Sequence, residues 1–229
     1  MLILIVGLGR SGTHLLGRIL DEHPAVSVEF EQPPQFPLVT SMAVDPRARK
    51  RVPDLVSIYR RKMRECGSSH LADKSHPALW ISDELSEEFP LARFLGVRRQ
   101  PLPTISSMLQ HKGVLSWSKR WREFPVPNEF LGITKELEGV YEGLSLVKKC
   151  VLRWAAHQRR LDKLERHPRA LVVNYEDLGL KETQNRIWGF LGLHQPDFYD
   201  RFRASSLTKW KTTLSKKQIK EARAALKAL

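Results

Sequence analysis

Residues 1–17 read MLILIVGLGRSGTHLLG, and this stretch decides the fold. Residues 2–6 form an unbroken apolar run, as a buried parallel strand requires. Gly7 and Gly9 break the run, and residues 11–14 open a helix with apolar positions at helical spacing. A strand, a glycine-rich turn and a helix N-terminus bind anions well, because backbone N–H groups and the helix dipole point at the ligand. The sequence therefore predicts a phosphorylated ligand at this loop.

The composition of the loop differs from that of a nucleotide-hydrolysing P-loop, whose pattern is G-x-x-x-x-G-K-[ST]. Gly7 and Gly12 have the required spacing. However, Thr13 stands at the lysine position, and His14 stands at the position of the magnesium-binding hydroxyl. Arg10 supplies positive charge from inside the loop instead. A guanidinium can hold phosphoryl or sulfuryl oxygens in a bidentate fork without a metal.

The bulk composition indicates a strongly basic globular protein. The chain has 229 residues, of which 41% are hydrophobic and 28% charged, and this length suits one domain spanning residues 1–229. The formal net charge of +13 favours an anionic partner, such as a nucleotide, a sulfated or phosphorylated substrate, a nucleic acid or a membrane surface. Charge alone does not choose among these partners.

The cysteines and the hydropathy of the sequence indicate in which cellular compartment the protein is expected. Cys66 and Cys150 are far apart and have no metal-like spacing, so the sequence predicts neither a disulfide scaffold nor a metal site. The apolar run at residues 2–8 is too short for a transmembrane helix, and no basic leader precedes it. We expect a cytoplasmic protein with no integral membrane segment.

Alternating strand and helix patterns predict an α/β fold. Apolar runs predict strands at residues 2–6, 25–28, 92–97 and 171–175, and a strand end entering a loop at 70–77. Helical spacing recurs at residues 11–22, 52–66, 77–88, 103–110, 146–166, 183–191 and from 215 onward. This order is typical of a P-loop-like three-layer sandwich, in which helices flank a central parallel sheet. Residues 32–50 are interpreted as a loop, and residues 113–146 as a substrate-side insertion or lid.

Chemistry-bearing residues follow the predicted strands, and ligands of parallel sheets bind at those carboxyl ends. These residues are Arg10, Ser11, Gly12, Thr13, Glu31, Lys74, His76, Arg99, Ser107 and Tyr175. We expect the loops that carry them to meet at one site.

Three motifs in this set resemble the sulfotransferase family, which moves a sulfuryl group from 3′-phosphoadenylyl sulfate to a hydroxyl or amine. Residues 7–24, GLGRSGTHLLGRILDEHP, resemble the 5′-phosphosulfate loop and helix of its arginine-type branch, which includes the protein-tyrosine sulfotransferases. Residues 98–109, RRQPLPTISSML, resemble the 3′-phosphate motif. Residues 206–211, SLTKWK, resemble the basic loop that closes over that phosphate.

The resemblance implies a role for each matching residue, because sulfuryl transfer needs charge stabilisation, an in-line acceptor and a base. Charge and hydrogen bonds for the transferred group are assigned to Arg10, Lys74, Ser11, Gly12, Thr13 and His14. The 3′-phosphate is assigned to Arg99, Ser107 and Lys209. The adenine pocket is assigned to Tyr175 or Trp210. None of these roles requires a metal.

The general base has three candidates. Glu31 lies 21 positions after Arg10 (31 − 10 = 21), the offset at which the protein-tyrosine branch places its catalytic glutamate, as the resemblance implies. Glu29 is two residues away on the same side of an extended strand and is an alternative. His76 is the rival, since residues 74–76 resemble the lysine-threonine-histidine of cytosolic sulfotransferases, where the histidine is the base. We favour Glu31 on its spacing.

The 3′-phosphate motif can be aligned in two frames. Arg99 and Ser107 are eight positions apart, and so are Arg98 and Ser106. The family usually has Arg-Asp-Pro here, whereas this chain has Arg-Gln-Pro at residues 99–101. We prefer the frame of Arg99 and Ser107, because the proline then has its expected position.

Two other functions fit parts of the sequence. A nucleotide kinase or NTPase with a degenerate Walker motif would need a phosphate lysine after Gly12. A basic nucleic-acid-binding module would explain the net charge, but the aromatic residues do not alternate with a basic stripe. We therefore expect a sulfotransferase with 3′-phosphoadenylyl sulfate as co-substrate, without a metal or a nucleic-acid partner. The sequence fits a small-molecule, glycan, lipid or peptide acceptor equally well.

Overall fold

The fold is built on a five-stranded parallel sheet. The computed structural model describes residues 1–196, 199 and 202–229. The strands are β1 (Leu2–Gly7), β2 (Val26–Phe30), β3 (His70–Lys74), β4 (Arg93–Arg98) and β5 (Ala170–Asn174). Their order is β2-β3-β1-β4-β5, and each neighbouring pair is parallel. Every residue of β1 is buried, which explains its unbroken apolar sequence and confirms the predicted parallel sheet.

Helices connect the strands and continue beyond them. They are α1 (Thr13–Asp21), α2 (Gln35–Val44), α3 (Val52–Glu65), α4 (Ser82–Glu88), α5 (Pro101–Leu109), α6 (Lys112–Lys119), α7 (Leu146–Glu165), α8 (Lys181–Leu191), α9 (Ser205–Thr208), α10 (Trp210–Thr213) and α11 (Lys216–Lys227). Short 3₁₀ turns lie at Pro46–Arg51, His76–Ile81, Trp121–Glu123, Glu129–Leu131, Tyr141–Gly143 and Tyr175–Asp177.

Helices cover both faces of the sheet, as two neighbouring residues of β2 show. Phe30 packs so closely on Gly17 of α1 that a Cβ there would lie 2.6 Å from its ring. Glu29 forms an ion pair with Lys62 of α3 at 2.7 Å. Because successive strand residues point to opposite faces, α1 and α3 lie on opposite sides of the sheet. The predicted three-layer α/β sandwich is confirmed.

Several predicted boundaries are wrong. Residues 35–44 were expected in a loop but form α2, which buries Leu38, Val39 and Met42. The helix expected to start at Pro103 begins at Pro101, because a proline fits the first helical position after the extended Gln100.

The second half of the chain also has more helix than the sequence predicts. The basic segment 206–211, predicted as a loop, lies largely in α9 and α10. The irregular segment 113–146 contains most of α6 and three 3₁₀ turns. Aromatic contacts hold it together: Trp121 lies 5.3 Å from Tyr141, and Trp117 lies 5.1 Å from Phe124, between ring centroids.

The chain divides into two compact units. The first contains Met1–Arg98 and Arg160–Phe202, and thus the whole sheet; the second contains Arg99–Arg159 and Arg203–Leu229. The prediction of one domain spanning residues 1–229 stays a prediction.

The sheet topology singles out the loop after β1. β1 is the central strand, and the chain builds β2 and β3 on one side of it before β4 and β5 on the other. In open parallel sheets, ligands bind at the carboxyl edge where the strand order reverses. The glycine-rich loop therefore lies at the position where this architecture binds ligands.

Candidate functional site

The loop between β1 and α1 adopts a tight turn that depends on glycine. Gly12 has a φ of +106°, and the Ser11 N–H donates to the Leu8 carbonyl over 3.0 Å. α1 begins at Thr13, so the N–H groups of Thr13 and His14, which precede the first hydrogen bonds to Gly12, lie at the end of the loop. This geometry is the one that the glycine spacing predicts for an anion-binding loop.

Tyr175 packs directly on this loop. A Cβ atom at Gly12 would lie 2.0 Å from the Tyr175 ring, so any other residue at position 12 would force the ring or the loop to shift. Tyr175 is buried, and its ring centroid lies 5.6 Å from that of Phe202. The structure thus gives Tyr175 a supporting role under the loop, and its predicted adenine contact stays a prediction.

The Ser11 hydroxyl is buried without a visible acceptor or donor. Ser11 is 1% exposed, and its Oγ has no hydrogen-bond partner among the residues that the structure describes. Buried polar atoms normally have such a partner. An oxyanion held in the loop would accept the hydrogen bond of this hydroxyl, so the loop fits a ligand that carries a sulfate or phosphate group.

Arg10 and His14 are the exposed members of the loop, whereas Thr13 is buried. The His14 ring lies 4.8 Å from the Phe30 ring, between centroids. Burial and then the charge of Lys74 lower the pKa of His14. A neutral imidazole at this position can donate one hydrogen bond without adding charge.

Glu31, Lys74 and His76 meet in one cluster. The Lys74 ammonium forms an ion pair with Oε1 of Glu31, and Nδ1 of His76 lies 2.9 Å from the same oxygen. A Cβ atom at Gly9 would lie 3.0 Å from Nε2 of His76. The predicted base, its predicted rival and the predicted charge-stabilising lysine therefore touch one another beside the glycine-rich loop.

The cluster keeps Glu31 ionised. Burial raises the pKa of the Glu31 carboxyl, but the hydrogen bonds and charges of His76 and Lys74 outweigh burial and lower that pKa to about 2. Lys74 is 4% exposed but the Glu31 side chain is 34% exposed, so solvent screens this ion pair in part. While it is paired with Lys74, Glu31 is a weak base.

The backbone is unusual at two of these charged residues. Arg10 has a φ of +81° and Glu31 a φ of +53°, and no other non-glycine residue of the described chain has a positive φ. Such conformations cost of order 1–3 kcal/mol and cluster at functional sites. At Glu31 the left-handed conformation follows the last residue of β2 and turns the chain away from the strand.

The Glu29 carboxylate has other partners than Lys74 and His76. Oε1 of Glu29 binds the Lys62 ammonium at 2.7 Å, and its second carboxylate oxygen accepts a hydrogen bond from Gln35. The expectation that Glu29 can substitute for Glu31 is therefore not supported, because its oxygens bind α3 and α2 rather than the Lys74–His76 pair.

The two arginines of the 3′-phosphate motif have different partners. Arg98 forms ion pairs with Asp162 at 2.5 Å and Glu165 at 3.0 Å. Nη2 of Arg99, in the second unit, donates to the Ser206 carbonyl over 2.9 Å. Two carboxylates therefore neutralise Arg98, and the assignment of the 3′-phosphate to the frame of Arg99 and Ser107 stays a prediction.

The serines of the two frames also differ in burial. Ser106 is buried, and its hydroxyl lies 2.6 Å from that of Thr213. Ser107 is half-buried on α5. Within the second unit, the hydrogen bonds of Arg99 and Ser106 connect α5 and the residue before it to the segment that carries exposed Lys209 and half-buried Trp210. Four predicted residues therefore lie in one part of the second unit, namely Arg99, Ser107, Lys209 and Trp210.

Sequence reasoning missed a buried hydrogen-bond network around Asp73. Its carboxylate accepts hydrogen bonds from the hydroxyls of Tyr59 and Ser75. The signal was present, since Asp73 is a charged residue inside an apolar strand and directly precedes Lys74.

Comparisons with known proteins agree with the architecture. The parallel sheet and the glycine-rich loop define a P-loop-like α/β protein. Residues 3–197 match the model of the sulfotransferase family, and the chain belongs to that family. A comparison with curated protein sequences finds no significant match.

Two solved structures share the fold over nearly the whole chain. A sulfotransferase domain from the curacin biosynthetic pathway is 17% identical with a TM-score of 0.60, over 99% of this chain and 97% of that domain. A sulfotransferase from Alicyclobacillus acidocaldarius is 18% identical with a TM-score of 0.51, over 98% of this chain and 94% of that protein.

In the described part of the chain, no helix is both long enough and apolar enough to span a membrane.

Proposed function

We propose that the chain transfers a sulfuryl group from 3′-phosphoadenylyl sulfate to a hydroxyl or amine. The observation that carries this proposal is the meeting of Glu31, Lys74 and His76 beside the glycine-rich loop. This arrangement supplies an anion cradle, a cation and a base within one region of the first unit. The cradle and the cation would supply the charge stabilisation that sulfuryl transfer needs, and the carboxylate the base, while the in-line acceptor comes with the second substrate.

In the proposed reaction, the loop binds the 5′-phosphosulfate. The Ser11 hydroxyl, the first N–H groups of α1 and the Arg10 guanidinium donate hydrogen bonds to its oxygens. Arg10 stands inside the loop, in place of the lysine that follows the second glycine of a nucleotide-hydrolysing loop. This feature leads us to propose the arginine-type branch of the family.

Lys74 has two roles in this scheme. In the structure it neutralises Glu31 and makes that carboxylate a weak base. The sulfuryl donor is strongly negative, so we propose that it draws the Lys74 ammonium towards the bridging and sulfuryl oxygens. Glu31 then loses its ion pair, and the pKa of its carboxyl rises towards the range in which it can accept a proton.

The chemical step follows from these positions. The acceptor oxygen or nitrogen forms a bond to sulfur, and the bond between sulfur and the 5′-phosphate oxygen breaks. Adenosine 3′,5′-bisphosphate leaves with its charge stabilised by Lys74 and the loop. The acceptor proton passes to Glu31, whose carboxylate keeps its hydrogen bond to His76.

A second assignment of the base rests on the same hydrogen bond. Carboxylate–histidine pairs are known in which the carboxylate orients the ring and the other ring nitrogen takes the proton. Nε2 of His76 is the nitrogen that lies against Gly9 of the loop. We place Glu31 first and keep His76 as the alternative that mutagenesis decides.

Recognition of the 3′-phosphate is proposed from the sequence motifs. Arg99, Ser107 and Lys209 are the residues that the family motifs match, and Trp210 is available to stack on adenine, with Tyr175 as the other candidate. The acceptor is proposed to contact the 113–146 segment. The family match does not support a kinase or a nucleic-acid-binding module.

Thermal unfolding separates this function from the nucleotide-kinase alternative. Adenosine 3′,5′-bisphosphate at about 100 times its Kd, without magnesium, should raise the Tm by roughly 5–10 °C. ATP with magnesium should have little effect. Stabilisation by ATP with magnesium, and none by the bisphosphate, would contradict the proposal.

A further inference from the structure

A buried carboxylate lies next to the Glu31–Lys74–His76 cluster in the chain. Asp73 is fully buried on β3. Its Oδ2 accepts a hydrogen bond from the Tyr59 hydroxyl at 2.5 Å, and its Oδ1 accepts one from the Ser75 hydroxyl at 3.0 Å. Nothing in the proposed reaction uses this carboxylate directly.

The strand separates Asp73 from the reacting groups. In β3, Asp73 and Lys74 point to opposite faces of the sheet. Asp73 pairs in register with Glu29 of β2, and both carboxylates meet side chains of α3, namely Tyr59 and Lys62 respectively. The Asp73 side chain therefore lies on the α3 face of the sheet and does not reach Glu31.

Burial of the Asp73 carboxylate costs desolvation free energy. No ion pair involves Asp73 among the residues that the structure describes, and the charge of Glu29, which disfavours its ionised form, outweighs that of Lys62. Burial raises the pKa of Asp73 to about 6, against the hydrogen bonds of Tyr59 and Ser75. An apolar side chain at this buried position would avoid that desolvation cost. It would, however, leave the hydroxyls of Tyr59 and Ser75 without their acceptor, so the carboxylate is kept for these two hydrogen bonds.

The Ser75 hydroxyl connects this carboxylate to the cluster. Ser75 stands between Lys74 and His76, where the strand ends and the 3₁₀ turn begins. Its backbone, with φ −105° and ψ +82°, belongs to neither element. The hydrogen bond from Ser75 to Asp73 therefore holds the one residue whose backbone sets the directions of both Lys74 and His76.

We propose that Asp73 is a positioning residue: through Ser75 it fixes the turn so that Lys74 and His76 reach the same oxygen of Glu31. Its catalytic consequence rests on the proposed function. The geometric claim does not, because the environment of Glu31 can be measured without any turnover.

The test compares Ser75→Ala, Ser75→Thr and Ser82→Ala. Ser75→Ala removes the hydrogen bond to Asp73, and Ser75→Thr retains a hydroxyl at that position. Ser82→Ala is a matched control, since Ser82 is also a buried serine with one side-chain hydrogen bond, accepted from Arg160 at 3.1 Å. Asp73→Asn is the stronger variant, and the serine variants decide the question if it fails to fold.

The first readout is the carboxyl ¹³C signal of Glu31 between pH 3.5 and 7, assigned by its loss in Glu31→Gln. In the wild type and in Ser82→Ala, the signal should stay that of an ionised carboxylate. In Ser75→Ala, it should begin to titrate below pH 5, because Lys74 and His76 no longer hold the carboxylate. Ser75→Thr should restore the wild-type profile.

The second readout is turnover with 3′-phosphoadenylyl sulfate. Ser75→Ala should lower kcat roughly tenfold, as a misplaced group does, and should change the Kd of adenosine 3′,5′-bisphosphate far less, because the glycine-rich loop still binds the 5′-phosphate. A Glu31 signal in Ser75→Ala that matches the wild type would overturn the positioning role. An enzyme without sulfuryl transfer but with the expected titration would overturn only the proposed function.

Discussion

The glycine-rich loop with its Glu31 cluster and the basic region around Arg99 are built in different ways. In the first unit, Lys74 and Ser11 are almost completely buried. In the second, Lys209 is exposed, and Arg99 and Ser107 are half-buried. Chemistry on a transferring group requires fixed, desolvated partners, because preorganised charges act most strongly away from water. Recognition of a phosphate tolerates exposed charges, because their combined field still attracts an anionic ligand to the surface.

The largest expected effect separates the two glutamates at the end of β2. Glu31→Gln should lower kcat by about 100-fold, the usual range for a lost general base. It should not weaken the binding of adenosine 3′,5′-bisphosphate, because Lys74 then has no ion pair with Glu31 to give up. Glu29→Gln is the matched control and should retain activity, since Glu29 binds Lys62 and Gln35. Steady-state kinetics would decide this point. Full activity of Glu31→Gln together with an inactive His76→Ala would assign the base to His76.

The loop itself can be tested through the packing of Gly12. Gly12→Ala should lower the free energy of unfolding by about 2 kcal/mol, because of its positive φ and its contact with Tyr175. Gly189→Ala is the control: no atom lies within 4 Å of a Cβ there, and alanine favours the α8 helix. Urea unfolding measures both changes. Equal stabilities for the two variants would show that the loop is not held as described.

The second region is tested by its two adjacent arginines. Arg99→Ala should weaken binding of adenosine 3′,5′-bisphosphate roughly tenfold and leave binding of adenosine 5′-phosphate unchanged, because one charged hydrogen-bond donor is lost. Arg98→Ala should leave both affinities unchanged, since Arg98 is paired with Asp162 and Glu165. Calorimetric titration of each variant provides the measurement. The reverse result would move the 3′-phosphate motif to the other frame.

The smallest effect concerns pH. The Glu31 carboxyl has a pKa of about 2 in the folded chain against an ordinary value of 4.5. Its contribution to stability is therefore complete above pH 4.5 and is lost as the pH falls towards 2. The difference in Tm between the wild type and Glu31→Gln should shrink over this range. A difference that stays constant would show that Lys74 and His76 do not hold the carboxylate.

The sequence predicts the sheet and the loop because their signals are local. The apolar run of β1, the glycines and the start of α1 all lie within residues 1–17. The parallel direction of the strands follows from the alternation of strands and helices, whereas their order in the sheet does not. Helix α2 was missed because its apolar residues follow two prolines and Gln35, which together resemble a loop.

The site was predictable as a set of residues but not as a set of contacts. Spacing identifies Glu31, Lys74 and His76 separately, yet their shared carboxylate oxygen depends on the left-handed conformation of Glu31. Strict strand alternation would put the side chains of Glu29 and Glu31 on the same face of the sheet. In the structure Glu31 has left the extended conformation, and the two carboxylates bind different partners. The ion pairs of Arg98 are likewise non-local, since Asp162 lies 64 residues further along the chain.

A crystal structure with adenosine 3′,5′-bisphosphate tests the central claim most directly. The account predicts the 5′-phosphate in the glycine-rich loop, accepting a hydrogen bond from the Ser11 hydroxyl and contacting Arg10, with the Lys74 ammonium moved from Glu31 towards it. A 5′-phosphate bound elsewhere, with Ser11 still unpartnered and Lys74 still paired with Glu31, would contradict it.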